Sequence, residues 1–572
     1  MDQVMVERIG NVLMWMTSVG AVLLLLAPLQ RWYRVTLTLL AGVAMLGVVH
    51  LELYRRYGAG ISALVLALLA ETEAQEALPL LWSTPWTVWL PMVLVLLLWG
   101  LALWIGRPPR RWPGVWLVLT GALLLVPAMG FTHAIAVYHD REAARRMAAG
   151  EVDTRYQPDA LSPLLTPWQQ DVRSAFPVSL VYAVSDFLHE RRSMARAVAE
   201  RQSLHFGARA EPRAPGEPRR IQVLVIGETS RADRWSLNGF ARPTTPLLAA
   251  RNDVVSFARF HSPLTYTRLS VPVMLSRRPP DWPTAVYPER SLLAAASEAG
   301  LRTVWISNQA PVGFHDSPIA LLARDAGTVI HANPADYRSR GVPDRALLPY
   351  IDRVLAQDDP RDLLLVVHTL GNHFRYSDRY DPADAHFLPD RPPNGKVRLY
   401  DRGHATYLRN SYDNALRETD RLLDALIGRL ADTGLPAWVF YVADHGEALF
   451  DDCLGEVGHG QSSPATHSVA ALWWASPAWR QFHTAQATRM EAHRDALLST
   501  THVFETVLSL AGVVVPGARP GKDISGRSLV VPAEILALDL DAPRCSADGK
   551  PLKKAGSTTG TGPGAMAVPG RQ

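Results

Sequence analysis

The chain has 572 residues, enough for more than one domain, with 58 Lys+Arg against 54 Asp+Glu and a formal charge of +4. So small a surplus gives no reason to expect nucleic acid as the main partner, and two cysteines exclude a disulfide-dense scaffold and a four-cysteine zinc module. The apolar residues crowd into the first quarter of the sequence, which rules out a purely soluble enzyme.

Four runs free of Asp, Glu, Lys and Arg cover residues 11–30, 35–51, 82–106 and 112–132. Each is about twenty residues long, the length that crosses a ~30 Å hydrocarbon core. Trp32, Tyr33, Tyr54, Trp82 and Trp112 stand near their ends, as interfacial aromatic residues do. Glu7 and Arg8 make a poor signal-peptide start and another apolar run follows at once, so the first run is expected to stay as an anchor. Arg31 and Arg34 join the first two runs, and Arg107, Arg110 and Arg111 the last two; both loops are expected inside. The middle loop carries Arg55 and Arg56 but also Glu71, Glu73 and Glu76, and is expected outside with the large C-terminal portion.

Residues 134–217 are charged and Arg-rich, with mixed segments such as 177–188. They read either as amphipathic helices on the membrane surface or as a solvated helical linker. From residue 542 the chain holds mostly Lys, Gly, Ser, Thr and Pro, the composition of a disordered tail. The expected organisation is a transmembrane domain of four helices over 1–133, a bridging segment over 134–217, a catalytic domain over 218–541 and a tail over 542–572.

Beyond Arg220 short apolar runs appear at 221–227, 301–307, 362–368, 437–443 and 468–475, separated by helical patterns such as 408–430. Near-continuous apolar strands alternating with helices predict an α/β domain, a mainly parallel sheet covered on both faces. Sites in such sheets form outside the carboxyl ends of the strands. Glu228 follows the first run, His373 lies just beyond the third, and Asp444 and His445 follow the fourth, with His459 shortly after. Carboxylates and imidazoles converging from separate strand ends make a plausible zinc shell. Asp444 and His445 can share an ion only where the strand has ended, since strand neighbours point to opposite faces, and Gly446 allows the turn.

These segments together resemble the phosphoethanolamine transferases of the Gram-negative envelope, in the alkaline phosphatase/sulfatase superfamily. The likeness runs through Val225-Ile-Gly-Glu-Thr-Ser-Arg-Ala-Asp-Arg-Trp-Ser-Leu-Asn-Gly-Phe-Ala-Arg-Pro-Thr-Thr-Pro246 and Thr265-Tyr-Thr-Arg-Leu-Ser-Val-Pro272. It continues in Asn410-Ser-Tyr-Asp-Asn-Ala-Leu-Arg-Glu-Thr-Asp420 and Tyr441-Val-Ala-Asp-His-Gly-Glu447. The resemblance implies an alkaline-phosphatase-like catalytic domain on the periplasmic side of a bacterial inner membrane, below a multi-pass anchor. It makes Glu228, Thr265, Asp444 and His445 the ligands of a zinc ion, with Thr265 also the nucleophile. Thr267 and Ser270 are the neighbouring hydroxyls that compete for that role. His373 and His459 match residues that hold the transferred phosphate or a second zinc ion. Thr72 and Glu76 match residues that close over the donor head group, Glu76 meeting its ammonium.

The implied reaction is a double displacement, in which a Thr hydroxyl activated by zinc takes phosphoethanolamine from phosphatidylethanolamine. An acceptor in lipid A, the lipopolysaccharide core or another envelope glycan then receives it. The sequence departs from the pattern in places. Pro263 and Val273 stand where relatives often carry cysteines, Leu68 stands where the pattern has Asn, and no Lys lies near Asn308. A Cys453–Cys545 bridge would join a loop to the tail, and free thiols are the expected state. The alternatives are a phosphoglycerol transferase or phosphodiesterase of the same superfamily, and a membrane-anchored binding protein without turnover. A sulfatase activity is disfavoured, because its formylglycine precursor is Cys or Ser rather than Thr265.

Overall fold

The computed structural model describes residues 33–57, 86–105, 176–188 and 201–538, with 61–62, 65–66 and 192, apart from 178, 202, 283–286, 310–317, 333–341, 394, 396 and 452–454. The runs at 11–30 and 112–132, Thr72, Glu76, both cysteines and the tail from 542 lie outside the described residues. Two compact units divide the rest, one holding the helices up to residue 190 and the other the chain from 191 on.

In the first unit the runs expected at 35–51 and 82–106 are helices, α1 over Tyr33–Tyr57 and α2 over Trp86–Ile105. At 1.5 Å per residue these are about 37 and 30 Å long, each sufficient for a hydrocarbon core. Within α1, Arg34–Leu53 is the one helical stretch among the described residues both long and apolar enough to cross a bilayer; Val88–Trp104 on α2 is a shorter apolar stretch. Leu90, Leu97, Leu98 and Trp104 of α2 are exposed, a surface that is costly in water and suited to lipid. The two helices touch through Trp99, whose indole N–H donates to Thr38 Oγ1 at 3.3 Å.

The second unit is built on a seven-stranded sheet: β1 Ile221–Gly227, β2 Val254–Ser256, β3 Arg302–Ser307, β4 Thr328–His331, β5 Leu363–His368, β6 Ala437–Ala443 and β7 Ala471–Ala475. The spatial order is β2-β7-β6-β1-β5-β3-β4. Pairs β6/β1, β1/β5, β5/β3 and β3/β4 are parallel, as the apolar runs predict. β7 departs from that expectation, pairing antiparallel with both β6 and β2. The 27 residues between β6 and β7 are long enough for either sense, but among those described the only α-helix is the four-residue Pro464–His467, too short to serve as a crossover helix.

Alternate residues of each strand feed two cores, because side chains point to opposite faces. Leu224, Ile226, Leu364, Val366, Trp438 and Phe440 pack with the helices α3 Thr267–Leu275, α4 Leu292–Glu298 and α7 Val503–Leu510. Val223, Val225, Leu365, Val367, Val439 and Tyr441 pack with α5 Leu348–Leu355 and α6 Ala405–Asp432. The doubly covered sheet is the layered α/β architecture predicted, and its central strands β6, β1 and β5 deliver their carboxyl ends side by side.

Candidate metal centre and active site

The parallel register of β1 and β6 pairs Gly227 with Ala443, so Glu228 and Asp444 emerge together at one edge of the sheet. Asp444 N–H still donates to Gly227 O at 3.0 Å, after which the ladder stops. Asp444 Oδ1 accepts from the backbone N–H groups of Thr229 at 3.1 Å and His445 at 2.8 Å. Its Oδ2 is buried with no hydrogen-bond partner among the described residues. His445 Nδ1–H donates to Gly446 O at 2.9 Å, which leaves Nε2 as the lone-pair nitrogen. That nitrogen lies 3.5 Å from both Glu228 Oε1 and Asp444 Oδ2.

Two glycines make the convergence possible. At Gly446 a Cβ would sit 2.0 Å from Ala465 O, so close backbone approach rather than a special turn conformation requires glycine there. Gly371, at φ +47°, lies against Glu228, where a Cβ would come within 2.8 Å of its carbonyl oxygen. The same loop holds Glu228 from behind, Asn372 N–H donating to Glu228 O at 3.0 Å.

The hydroxyl that joins this cluster belongs to Thr267. Its Oγ1 donates to the Glu228 carboxylate, 3.1 and 3.2 Å from the two oxygens, and stands 3.1 Å from His445 Nε2. Thr265, expected in that place, is buried, but among the described residues its hydroxyl has no hydrogen bond to Glu228, Asp444 or His445. The reason is where the helix begins. Tyr266 is extended and Thr267 is the first residue of the nine-residue α3, so the two threonines fall on different sides of a backbone turn. An oxygen at that end also meets the positive end of the helix dipole, which favours negative charge.

The electrostatics ask for a cation. Among the described residues, the ion pairs of Glu228 and Asp444 involve only His445. Burial, and then the charge of Asp444, raise the Glu228 carboxyl well above its ordinary range. Burial pushes Asp444 up to about 6, and burial with the neighbouring His459 pushes His445 down to about 3. Two acids that resist ionising beside a histidine that resists protonation form a site short of positive charge. One ligand atom from each of Glu228, Asp444 and His445 lies within 4.8 Å of the others, a donor set of oxygens and nitrogen that fits zinc.

His459 and His373 flank this group. The His459 ring lies 4.6 Å from that of His445, centroid to centroid, and its Nδ1 is 2.8 Å from Glu447 Oε2. His445, Glu447 and His459 form a second set whose ligand atoms lie within 4.8 Å of one another. His373 is half-buried on the loop after β5, its Nδ1–H donating to Phe374 O at 2.7 Å. Sequence reasoning missed Gln309, whose amide donates to Glu228 Oε2 at 3.3 Å, and Tyr376, whose hydroxyl donates to Glu447. Gln309 was findable as a polar residue just past the end of β3; Tyr376 carries no such signal. Arg231, also at the first strand end, ties down the far loop, donating to Glu447 O at 3.0 Å and to Asp451 at 2.7 Å.

The chain is 26% identical over 490 residues to the phosphoethanolamine transferase CptA of Salmonella typhimurium, covering 83% of this chain and 79% of that one. Its fold is similar to the integral membrane lipooligosaccharide phosphoethanolamine transferase A of Neisseria meningitidis, with a TM-score of 0.66 at 24% identity, covering 86% of this chain and 87% of that one. It is also similar to the C-terminal periplasmic domain of EptC from Escherichia coli in complex with Zn, with a TM-score of 0.51 at 24% identity, covering 57% of this chain and 91% of that domain. Residues 220–513, which contain every strand end described above, match the sulfatase family, and the chain belongs to that family.

Proposed function

We propose that this protein is a membrane-bound, zinc-dependent transferase that moves phosphoethanolamine from phosphatidylethanolamine to lipid A, the lipopolysaccharide core or another envelope glycan. It would work from a multi-pass anchor in a bacterial inner membrane, with its catalytic domain in the periplasm. One observation carries the reading: a threonine hydroxyl at a helix N-terminus, hydrogen-bonded to a buried carboxylate and within 3.1 Å of an imidazole nitrogen, inside a cation-deficient cluster. The likeness to phosphoethanolamine transferases along most of the chain supports the transferred group.

Glu228, Asp444, His445 and Thr267 would hold the zinc ion. When bound it lowers the proton affinity of neighbouring oxygen and offsets phosphoryl charge. Thr267, in place of Thr265, is the nucleophile: Oγ1 bonds to the donor phosphorus, diacylglycerol departs, and phosphoethanolamine stays on the threonine. An acceptor oxygen then takes the phosphorus from Thr267. His373 and His459 bind phosphoryl oxygens or carry protons. Thr72 and Glu76 are assigned to the donor head group. An anchored site beside the bilayer raises the effective concentration of a lipid donor.

The test uses detergent-solubilised full-length protein incubated separately with phosphatidylethanolamine and phosphatidylglycerol. Diacylglycerol release from phosphatidylethanolamine, with fragmentation placing a phosphoethanolamine adduct on Thr267, is the expected result. Release from phosphatidylglycerol alone rejects the assignment.

A further inference from the structure

Glu447 is buried, and both of its oxygens are engaged. Oε2 accepts from His459 Nδ1–H at 2.8 Å, and Oε1 accepts from the Tyr376 hydroxyl. Tyr376 arrives from the short helical turn Tyr376–Asp378, on the segment that follows His373, and is itself buried. Its ring is wedged edge-on against Phe374 and Tyr412, with centroids 5.5 and 5.3 Å away. Burial, and then the charge of Glu447, raise the Tyr376 phenol well above its ordinary range, so it remains a donor. On the other side of the carboxylate, His459 is about 29% exposed; its ring is edge-on to Tyr266, the residue before Thr267, at 6.0 Å.

We propose that Tyr376 is a positioning residue for transfer: through Glu447 it fixes the His459 ring with its Nδ1 proton inward, so that Nε2 serves the reacting oxygens. The inference rests on the transferase reading and deepens it. His459 is then the catalytic residue, and Tyr376 and Glu447 act through it, much as a buried acid sets the tautomer of a catalytic imidazole. The hydrogen-bond arithmetic supports this use of Glu447. A buried carboxylate with one partner removed is costly, and here the two oxygens face one donor each.

The proton traffic balances over the cycle. In the first half-reaction the bond from Thr267 Oγ1, reacting as its oxyanion, to phosphorus forms. The phosphorus bond to the glycerol oxygen breaks, the electron pair stays on that oxygen, and it takes a proton from Nε2 of the protonated His459 ring. In the second, an acceptor oxygen bonds to phosphorus and gives its proton to Nε2. The pair from the broken bond returns to Thr267 Oγ1.

A leaving group that needs no proton separates this role from a structural one. Tyr376→Phe should lower kcat with phosphatidylethanolamine by about tenfold or more, within the range of general acid catalysis, with little change in KM. The first-turnover burst from a 4-nitrophenyl ester of phosphoethanolamine, which leaves as a stable phenolate, should fall by less than about threefold. In a His459→Ala background Tyr376→Phe should cost nothing further. Equal losses on both donors, a further loss in that background, or loss of bound zinc overturns the proposal. A measurement on the unaltered protein stands beside it in case the variant does not fold. Nitrogen-15 spectra should show Nδ1 of His459 protonated at neutral pH, and a neutral ring protonated at Nε2 alone overturns the proposal. Inactive wild-type protein would count against the transferase reading, leaving the tautomer to decide the role of Tyr376.

Discussion

Replacing Glu228 with Gln should stabilise the metal-free protein while removing its capacity to hold zinc. Glu228 and Asp444 are 1% and 0% exposed, with an oxygen of each within 4.8 Å of the other. Two ionised carboxylates at that separation repel by about 3 kcal/mol at an effective dielectric constant of 20. The amide relieves the repulsion but fits its neighbours less well, since Thr267 and Gln309 both donate to Glu228. One weakened hydrogen bond costs about 1 kcal/mol, leaving a net gain of about 2 kcal/mol, or roughly 3–6 °C in melting temperature. The gain depends on pH with a definite sign. Asp444 is pushed up to about 6, so the folded metal-free protein binds that proton more tightly than the unfolded chain does. Its stability therefore falls as pH climbs from about 4 through 6, where the folded Asp444 must ionise, and the raised Glu228 carboxyl adds a loss of the same sign. Melting curves of the detergent-solubilised chain, with chelator or excess zinc at pH 5 and pH 8, check each point. With chelator at pH 8 the variant should melt above wild type, and at pH 5 the gap should narrow. With zinc, wild type should rise and the variant should not. A variant that melts below wild type in chelator at pH 8, or gains as much from zinc, refutes the reasoning.

Thr267→Ala should abolish transfer, by on the order of 10³-fold or more, and Thr265→Ala should keep most of it; comparable losses in donor-turnover assays would reopen the assignment of the nucleophile. Gly371→Ala forces a Cβ to within 2.8–2.9 Å of Glu228 backbone at φ +47°, and should lower zinc affinity as well as stability, read by metal titration and melting. Asp413→Asn removes a buried carboxylate that Arg234 grips with bonds of 2.8–3.0 Å, and should cost about 3–5 kcal/mol by denaturant unfolding, with no change in leaving-group preference.

The acids at the strand ends were legible in the sequence because their placement follows from chain direction alone. A continuous apolar run such as Ile221–Gly227 or Ala437–Ala443 must end somewhere, and in a parallel sheet the next polar residue is at the site edge whatever packs around it. The direction of β7 was not legible, because a buried run of five residues looks the same whether it runs up or down. The hydroxyl was harder still. Thr265 and Thr267 lie in one short polar stretch, and choosing between them requires the first residue of α3 to within a single position, finer than helix starts can be read from pattern. A nucleophile that must carry developing negative charge gains from standing at the helix end itself, where the dipole is felt, and Thr267 stands there while Thr265 precedes it by two residues. Tyr376 shows the opposite limit. It reaches Glu447 across 71 residues of chain, through a contact made only when the loop after β5 folds over the end of β6. No local pattern marks such a residue, so positioning groups of this kind must be sought in the folded protein, starting from the catalytic side chains and following each buried oxygen to its donor.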